Sequence, residues 1–367
     1  MKGNLNKIGR YVQFPLSRVH IELTNICNFN CIFCPKSIMT REKGYMRYDL
    51  VKRIIDELAE NNITEKITFH IMGEPFMHPN IFDAMEYGIK RGIKIGLTTN
   101  GSYLTPENSD KLIRIGIDQI NISLQTPDED SFRLRRAKDL TFERYSQQTI
   151  DYIRDLRKDH EEKIVKIHFL NTKYSGSVRP AIGEINVIND TKTLQERMKI
   201  WTKRIYQIEG IKDRITEDRV LKGIDRITIN RWNVLEIAPN IFFETYLLDN
   251  WGNAMAKRPV VKGRFGYCSA LTDHFGILWN GDFVLCCRDF DGKTIMGNVN
   301  NLRIIDILNS EEVVFIVKGF KRFRIIHPYC MRCIGGSSLA SSILRQVNSI
   351  FLWKILKGYF YYQRRLF

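Results

Sequence analysis

No stretch of this chain reaches the roughly 18 consecutive apolar residues that a membrane-spanning helix needs, so no bilayer-crossing segment is expected. Behind the Lys and Arg of Met1 to Phe14 there is no apolar run, which argues against a secretory signal. The expected location is therefore the reducing cytoplasm, where cysteines rarely pair as disulfides. No segment repeats another, which excludes a solenoid. Acidic residues are missing from one end: Val313 to Phe367 has no Asp or Glu but ten Lys or Arg. The net charge of +15 would attract anionic partners, including phosphorylated substrates and anionic membranes. No nucleic-acid-binding motif accompanies the charge, and nucleic acid is not an expected partner.

What is present suits a folded protein. Apolar residues make up 44 % of the sequence and aromatics 11 %, enough for a sizeable core. A length of 367 residues suits one large domain with a smaller one. Val19–Thr24, Lys66–Ile71, Ile93–Thr98, Gln119–Leu124 and Ile164–Leu170 have strand patterns. Asp49–Asn61, Asn80–Arg91, Glu107–Ile115 and Phe142–Lys158, which lie between them, have helical ones. Such alternation implies a parallel sheet with right-handed crossovers, and Arg226–Asn230 is a candidate sixth strand. The expected fold class is α/β: a partial six-stranded TIM-like barrel over residues 1–235, with an insertion at about 171–225. Glycines 252, 263, 266, 276 and 281 then punctuate short β-like pieces, so a smaller α+β domain is expected over 236–340, followed by a basic aromatic tail over 341–367.

The eight cysteines fall into two groups, which in a reducing compartment points to metal rather than disulfides. Cys27, Cys31 and Cys34 are spaced C-x3-C-x2-C just after the first strand, where a barrel's catalytic face would lie. Three thiolates can hold three corners of a cubane and leave one iron open; structural zinc normally takes four closed ligands. Cys268, Cys286, Cys330 and Cys333 form the second group, with Gly281 ahead of Cys286 and a C-x2-C pair at the end. Four thiols suit zinc or an iron–sulfur cluster equally, and their spacing does not separate the two. Cys287 is expected to be a non-ligand, because neighbouring side chains alternate along an extended segment; the alternative is that it exchanges roles with Cys286.

The first cysteine segment, including Phe33 before its last thiol, resembles the signature of the radical S-adenosylmethionine (SAM) superfamily. The resemblance extends to Gly73-Glu74-Pro75 after the second strand and to Thr99-Asn100-Gly101 after the third, over roughly residues 18–336. It implies a [4Fe–4S] cluster whose open iron binds SAM, with reductive cleavage to a 5′-deoxyadenosyl radical that abstracts hydrogen from a substrate. It also implies SAM contacts from Phe33, Gly73, Glu74, Thr99, Asn100, Ser123, Gln125 and Arg136. The second cysteine group resembles the SPASM/twitch extension of that superfamily. The absence of later cysteines implies the shorter form with one auxiliary [4Fe–4S] cluster, as in its aminocyclitol-oxidising members.

The substrate implied is a small molecule such as a sugar, aminocyclitol or glycan precursor; a ribosomally made peptide is the alternative. Flavodoxin or ferredoxin is the expected electron donor. A catalytic base is not assigned; His168 at the end of the fifth strand suits a substrate-facing role or that of a satisfied core histidine equally, and Asp289 suits substrate orientation or a solvated loop acid equally. A non-catalytic iron–sulfur or zinc-binding protein is the reading from another class. In Ser349–Phe367 apolar and basic residues interleave, which suits either a basic-edged helix capping the barrel or a peripheral membrane contact.

Overall fold

The computed structural model describes residues 11–179, 183–209, 211 and 217–351. Ten strands form one sheet: β1 (Arg18–Ile21), β2 (Lys66–Phe69), β3 (Lys94–Thr99), β4 (Gln119–Gln125), β5 (Ile164–Asn171), β6 (Val234–Ala238), β7 (Ile241–Leu247), β8 (His274–Ile277), β9 (Asp282–Val284) and β10 (Ile295–Asn298). Their spatial order is β10-β9-β8-β1-β2-β3-β4-β5-β7-β6. The seven strands from β8 to β7 run parallel, while antiparallel β9, β10 and β6 form the two edges. The result is an open, partial barrel, as the alternating pattern implies.

Helices Tyr48–Glu60, Ile81–Lys90, Pro106–Ile115 and Phe142–Asp159 fall within a residue or two of the expected ranges. Local chemistry sets their ends. The Thr105 hydroxyl accepts from Asn108 N, Pro106 begins the helix, and Gly116 closes it in the left-handed conformation.

Two expectations are corrected. Arg226–Asn230 is a turn, and the sixth strand of the βα series is β7, which pairs with β5 from Val165↔Ile241 to Asn171↔Leu247. The 171–225 segment is thus the crossover from β5, built around helices Thr191–Ile205 and Glu217–Asp225. The expected boundary at 235/236 falls inside β6, and β8 from the C-terminal region pairs with β1 in register Arg18↔His274. One sheet therefore runs through both regions.

The two faces of the sheet differ. Val19, Ile21, Ile67, Phe69, Ile95, Leu97, Ile120, Ile122, Val165, Ile167, Phe243 and Phe275 are fully buried on the face that meets the helices. The alternate positions are polar: Arg18, His20, Lys66, Thr68, Thr98, Gln119, Asn121, Lys166, His168, Glu244 and His274. Period-two alternation sends these side chains to the inner, concave face. They bond across strands, as in His20–Thr68 at 2.6 Å, Lys66–Gln119 at 3.2 Å and Asn121–Thr98 at 3.1 Å. A barrel interior meant only for packing would carry branched apolar residues.

Candidate active site

The three N-terminal cysteines lie on the loop that leaves β1. That loop is held from several sides. Lys36 Nζ donates to the carbonyls of Cys27 and Phe29 at 2.8 and 2.9 Å. Asn30 N and Ile32 N donate to the carbonyls of Arg135 and Leu134. Phe33 is buried, and Phe29 sits edge-on to Phe132.

The loop after β2 packs backbone to backbone against it. Glu74 N donates to Ile26 O at 2.8 Å. Gly73 has φ +77°, and a Cβ there would lie 2.3 Å from Thr24 O, so only glycine suits the position. The Glu74 carboxylate is buried and accepts from Thr99 Oγ1 at 2.7 Å, Asn100 N at 2.6 Å and Phe76 N at 3.3 Å. Burial pushes its pKa up to about 7, against the downward pull of those hydrogen bonds. Asn100 reaches back to Asn28 Oδ1 at 2.9 Å and to Cys27 Sγ at 3.7 Å. The cysteine loop, Gly73, Glu74, Thr99 and Asn100 thus form one connected group.

Arg135 is the functional candidate that the sequence reading missed. It is 1 % exposed, lies over the Phe29 ring at 4.8 Å and donates to Ser123 O and Leu124 O at 2.6 and 2.7 Å. Burial pushes the Cys31 thiol up, and the Arg135 guanidinium beside it works in the opposite direction, towards the thiolate. Arg136, the expected SAM contact, is half-buried with a left-handed backbone (φ 48°). Ser123 and Gln125 end β4 half-buried, Gln125 with φ 53°. The close run Arg133, Arg135, Arg136 was visible in the sequence; which of its members turns inward was not.

The second group gathers by different means. Cys330 and Cys333 sit one turn apart on helix Pro328–Ile334, which puts them on the same side. Asn253 Nδ2 caps that helix, donating to the carbonyls of Arg332, Cys333 and Gly335 at 2.6, 3.2 and 3.0 Å. Gly281, with φ +90°, turns the chain from β8 into β9 and delivers Cys286. Asp289 is fully buried and holds Lys293 N, Thr294 N and Thr294 Oγ1. It is a loop brace, and the expectation that it orients substrate is corrected.

Burial raises the pKa of these thiols: Cys27 and Cys268 to about 11, Cys34 to about 12, and Cys286 and Cys330 well above the usual thiol range. Thiolates in such surroundings need a bound cationic centre to offset their charge. Among the described residues, the group of three or more His, Cys, Asp or Glu ligand atoms within 4.8 Å of one another is His20, His274 and Cys287.

The fold thus places a three-thiol loop at the barrel mouth and gathers Cys286 with Cys268, Cys330 and Cys333 as a second group. Residues 21–170 match the sequence model of the Radical SAM superfamily, and residues 268–334 match that of SPASM, an iron–sulfur cluster-binding domain. Residues 21–170 are therefore a Radical SAM domain and residues 268–334 a SPASM domain, and the cofactors that go with them are SAM, a [4Fe–4S] cluster and auxiliary iron–sulfur. It is 35 % identical over 106 residues to the tungsten-containing aldehyde ferredoxin oxidoreductase cofactor-modifying protein of Pyrococcus furiosus, covering 29 % of this chain and 30 % of that one. It is 32 % identical over 122 residues to the S-adenosyl-L-methionine-dependent 2-deoxy-scyllo-inosamine dehydrogenase of Niallia circulans, covering 32 % and 48 %. These matches span about a third to a half of the relatives' length. The fold is similar to that of anSMEcpe with bound AdoMet, with TM-score 0.52 at 13 % identity over 93 % of this chain and 97 % of that one.

On the inner face beyond the cysteine loop, Glu244 stands on β7. Its Oε1 accepts from Trp232 Nε1 at 3.0 Å and Tyr246 OH at 2.9 Å. Its Oε2 lies 3.6 Å from Lys166 Nζ and 3.8 Å from His168 Nε2. Neither Glu244 Oε2 nor His168 Nε2 has a hydrogen-bond partner, although both are buried. Burial pushes the His168 pKa down to about 3, so the ring is neutral. Alternation along β5 places His168 on the inner face.

Proposed function

We propose that this enzyme oxidises a hydroxylated small molecule, a sugar, aminocyclitol or glycan precursor, at a carbon that bears an alcohol. The observation that carries this reading is the facing pair Glu244 Oε2 and His168 Nε2. A buried carboxylate oxygen whose contact is the ion pair to Lys166 at 3.6 Å, and a buried ring nitrogen without a hydrogen-bond partner, cost free energy unless something polar reaches both from the side. A substrate hydroxyl suits that gap: it would donate to the carboxylate and accept from the imidazole N–H. Resemblance over 122 residues to an aminocyclitol dehydrogenase adds support.

When bound, SAM and the cluster on Cys27, Cys31 and Cys34 supply the radical that takes a hydrogen atom from the substrate. The chain's own residues position and protect. The connected loops hold SAM through the backbone at Gly73 and through Phe33, Thr99, Asn100, Ser123, Gln125 and Arg136. Glu74 acts chiefly by tying the second loop to the third, since its oxygens are already engaged. Glu244 accepts the alcohol proton, and Lys166 Nζ lies 3.6 Å from its Oε2. Cys268, Cys286, Cys330 and Cys333 would hold an auxiliary cluster able to accept the one electron left on the substrate after hydrogen abstraction, and flavodoxin or ferredoxin would supply the separate electron that cleaves SAM.

The experiment is 5′-deoxyadenosine formation by the anaerobically reconstituted enzyme, with panels of aminocyclitols and sugars on one side and ribosomal precursor peptides on the other. Stimulation by a polyol is expected, and Glu244→Gln should lower ketone yield by about a hundredfold. Stimulation by a peptide alone would replace this reading with that of a peptide maturase.

The reducing cytoplasm is the proposed setting, and no described helix is long and apolar enough to cross a membrane. A peripheral membrane contact through the tail is part of the proposal. Helix Leu339–Asn348, which leads to it, exposes Leu339, Ile343, Leu344 and Val347. Residues 352–367 lie outside the described residues.

A further inference from the structure

Four of the seven histidines, His20, His70, His168 and His274, occupy the polar inner face or its rim, from strands β8, β1, β2 and β5. Three of these rings form a continuous edge-on series: His20 is 5.9 Å from His70 and 5.3 Å from His274. At the His274 end the series meets a thiol. Cys287 follows Cys286, and its thiol lies with the His20 and His274 rings. The expected alternation is not the cause, because β9 ends at Val284 and a bend at 285–286 leads into a turn at 287–288.

We infer that His20, His274 and Cys287 form a third metal site, separate from both cubanes, which binds one zinc-like divalent cation. The ligand atoms of the three side chains lie within 4.8 Å of one another, near the spread that one ion imposes. The donor set, two imidazoles and a thiolate, is of the kind that zinc takes in catalytic sites with three protein ligands. The outer contacts agree. His20 Nδ1 is bonded to Thr68 Oγ1 at 2.6 Å, and His274 Nδ1 lies 3.4 Å from Asp273 Oδ2. Each ring is thus oriented through one nitrogen, by a hydroxyl in one case and a carboxylate in the other, which leaves Nε2 for the ion. Metal-binding histidines are commonly fixed in this way. Arg18, the nearest competing cation on the same face, is tied to Asp273 at 3.1 Å.

Sequence spacing conceals this site. Its members are separated by 254 and 13 positions, and only the parallel pairing of β8 with β1 brings them together. Three protein ligands leave a coordination position open, and the site lies on the polar inner face. A substrate oxygen is the class of ligand that position would take.

The test uses the full chain, purified anaerobically with both clusters in place and dialysed against zinc ion alone. Metal analysis should find about one zinc beside about eight irons. The zinc X-ray absorption spectrum should show a shell of two nitrogens and one sulfur among its ligands. His20→Gln and His274→Gln should each remove most of the zinc and keep the iron; Cys287 is left intact because its neighbour is a cluster ligand. The inference is overturned if no zinc is retained, as for a bare thiolate–imidazolium pair. It is overturned equally if the zinc shell is all sulfur, which would place the ion in the four-cysteine site, or if both variants keep the zinc. The wild-type spectrum decides the matter even where a variant loses iron as well.

Discussion

Glu74 carries three hydrogen bonds and sits in a fully buried position where its carboxyl titrates near neutrality, at about 7, because burial outweighs those bonds. An unfolded glutamate titrates near 4.5, so the folded state binds extra proton between the two values. The neutral form's contribution is fully present below about pH 4.5 and is lost as pH rises towards about 7, by a total on the order of 3 kcal/mol. Glu74→Gln has no such titration. In denaturant unfolding of the two apoproteins, the wild type's advantage should shrink as pH rises through that window, and a constant difference would contradict the assignment. Arg135 and Arg136 offer a sharper contrast. Arg135→Leu leaves the carbonyls of Ser123 and Leu124 without their donor and removes the charge beside Cys31. It should cost about 2–4 kcal/mol and most of the SAM-binding cluster, read as lost iron. Arg136→Leu should keep its iron and raise the KM for SAM; equal iron loss in both variants would argue against the distinction.

Helix Leu339–Asn348 shows how an element can be well formed and still face outward. Ser338 and Ser341 form a reciprocal capping box at its start, while Ser342 and Gln346 turn inward and bond each other. Its apolar residues mostly do the reverse, with Leu339 at 67 % and Leu344 at 61 % exposed. If this helix and the tail after it lie on a membrane, the full chain should bind anionic liposomes, and removing residues 349–367 should weaken that binding several-fold. Unchanged co-sedimentation would rule out the tail as the contact. The strands and helices from β1 to β5 were legible in sequence because their apolar periods are long and their caps conventional, as at Thr105 and Gly116. β7 was not, because Ile241-Phe242-Phe243-Glu244 follows a mixed crossover and only its pairing with β5 identifies it. Of the site, the cysteines and the Gly73-Glu74 turn could be read locally. Arg135, Glu244 and Cys287 could not, since burial and cross-strand neighbours define their roles.

The whole molecule joins its two cluster regions through one sheet and a buried ion pair. Arg41 binds Glu22 through both guanidinium nitrogens at 2.8 Å, and donates through Nε to Phe290 O. Asp291 accepts from Thr40 N and Oγ1. Such contacts hold the C-terminal loop against the segment that follows the first cysteine trio, so both cluster sites belong to one packed unit. The most direct measurement is reductive cleavage of SAM by the reconstituted full chain, supplied with a strong reductant and assayed for 5′-deoxyadenosine with and without candidate substrates. The account predicts 5′-deoxyadenosine from the wild type and background levels from Cys31→Ala. A wild type that contains its full iron and still leaves SAM uncut with every substrate offered, or a Cys31→Ala enzyme as active as the wild type, would contradict it.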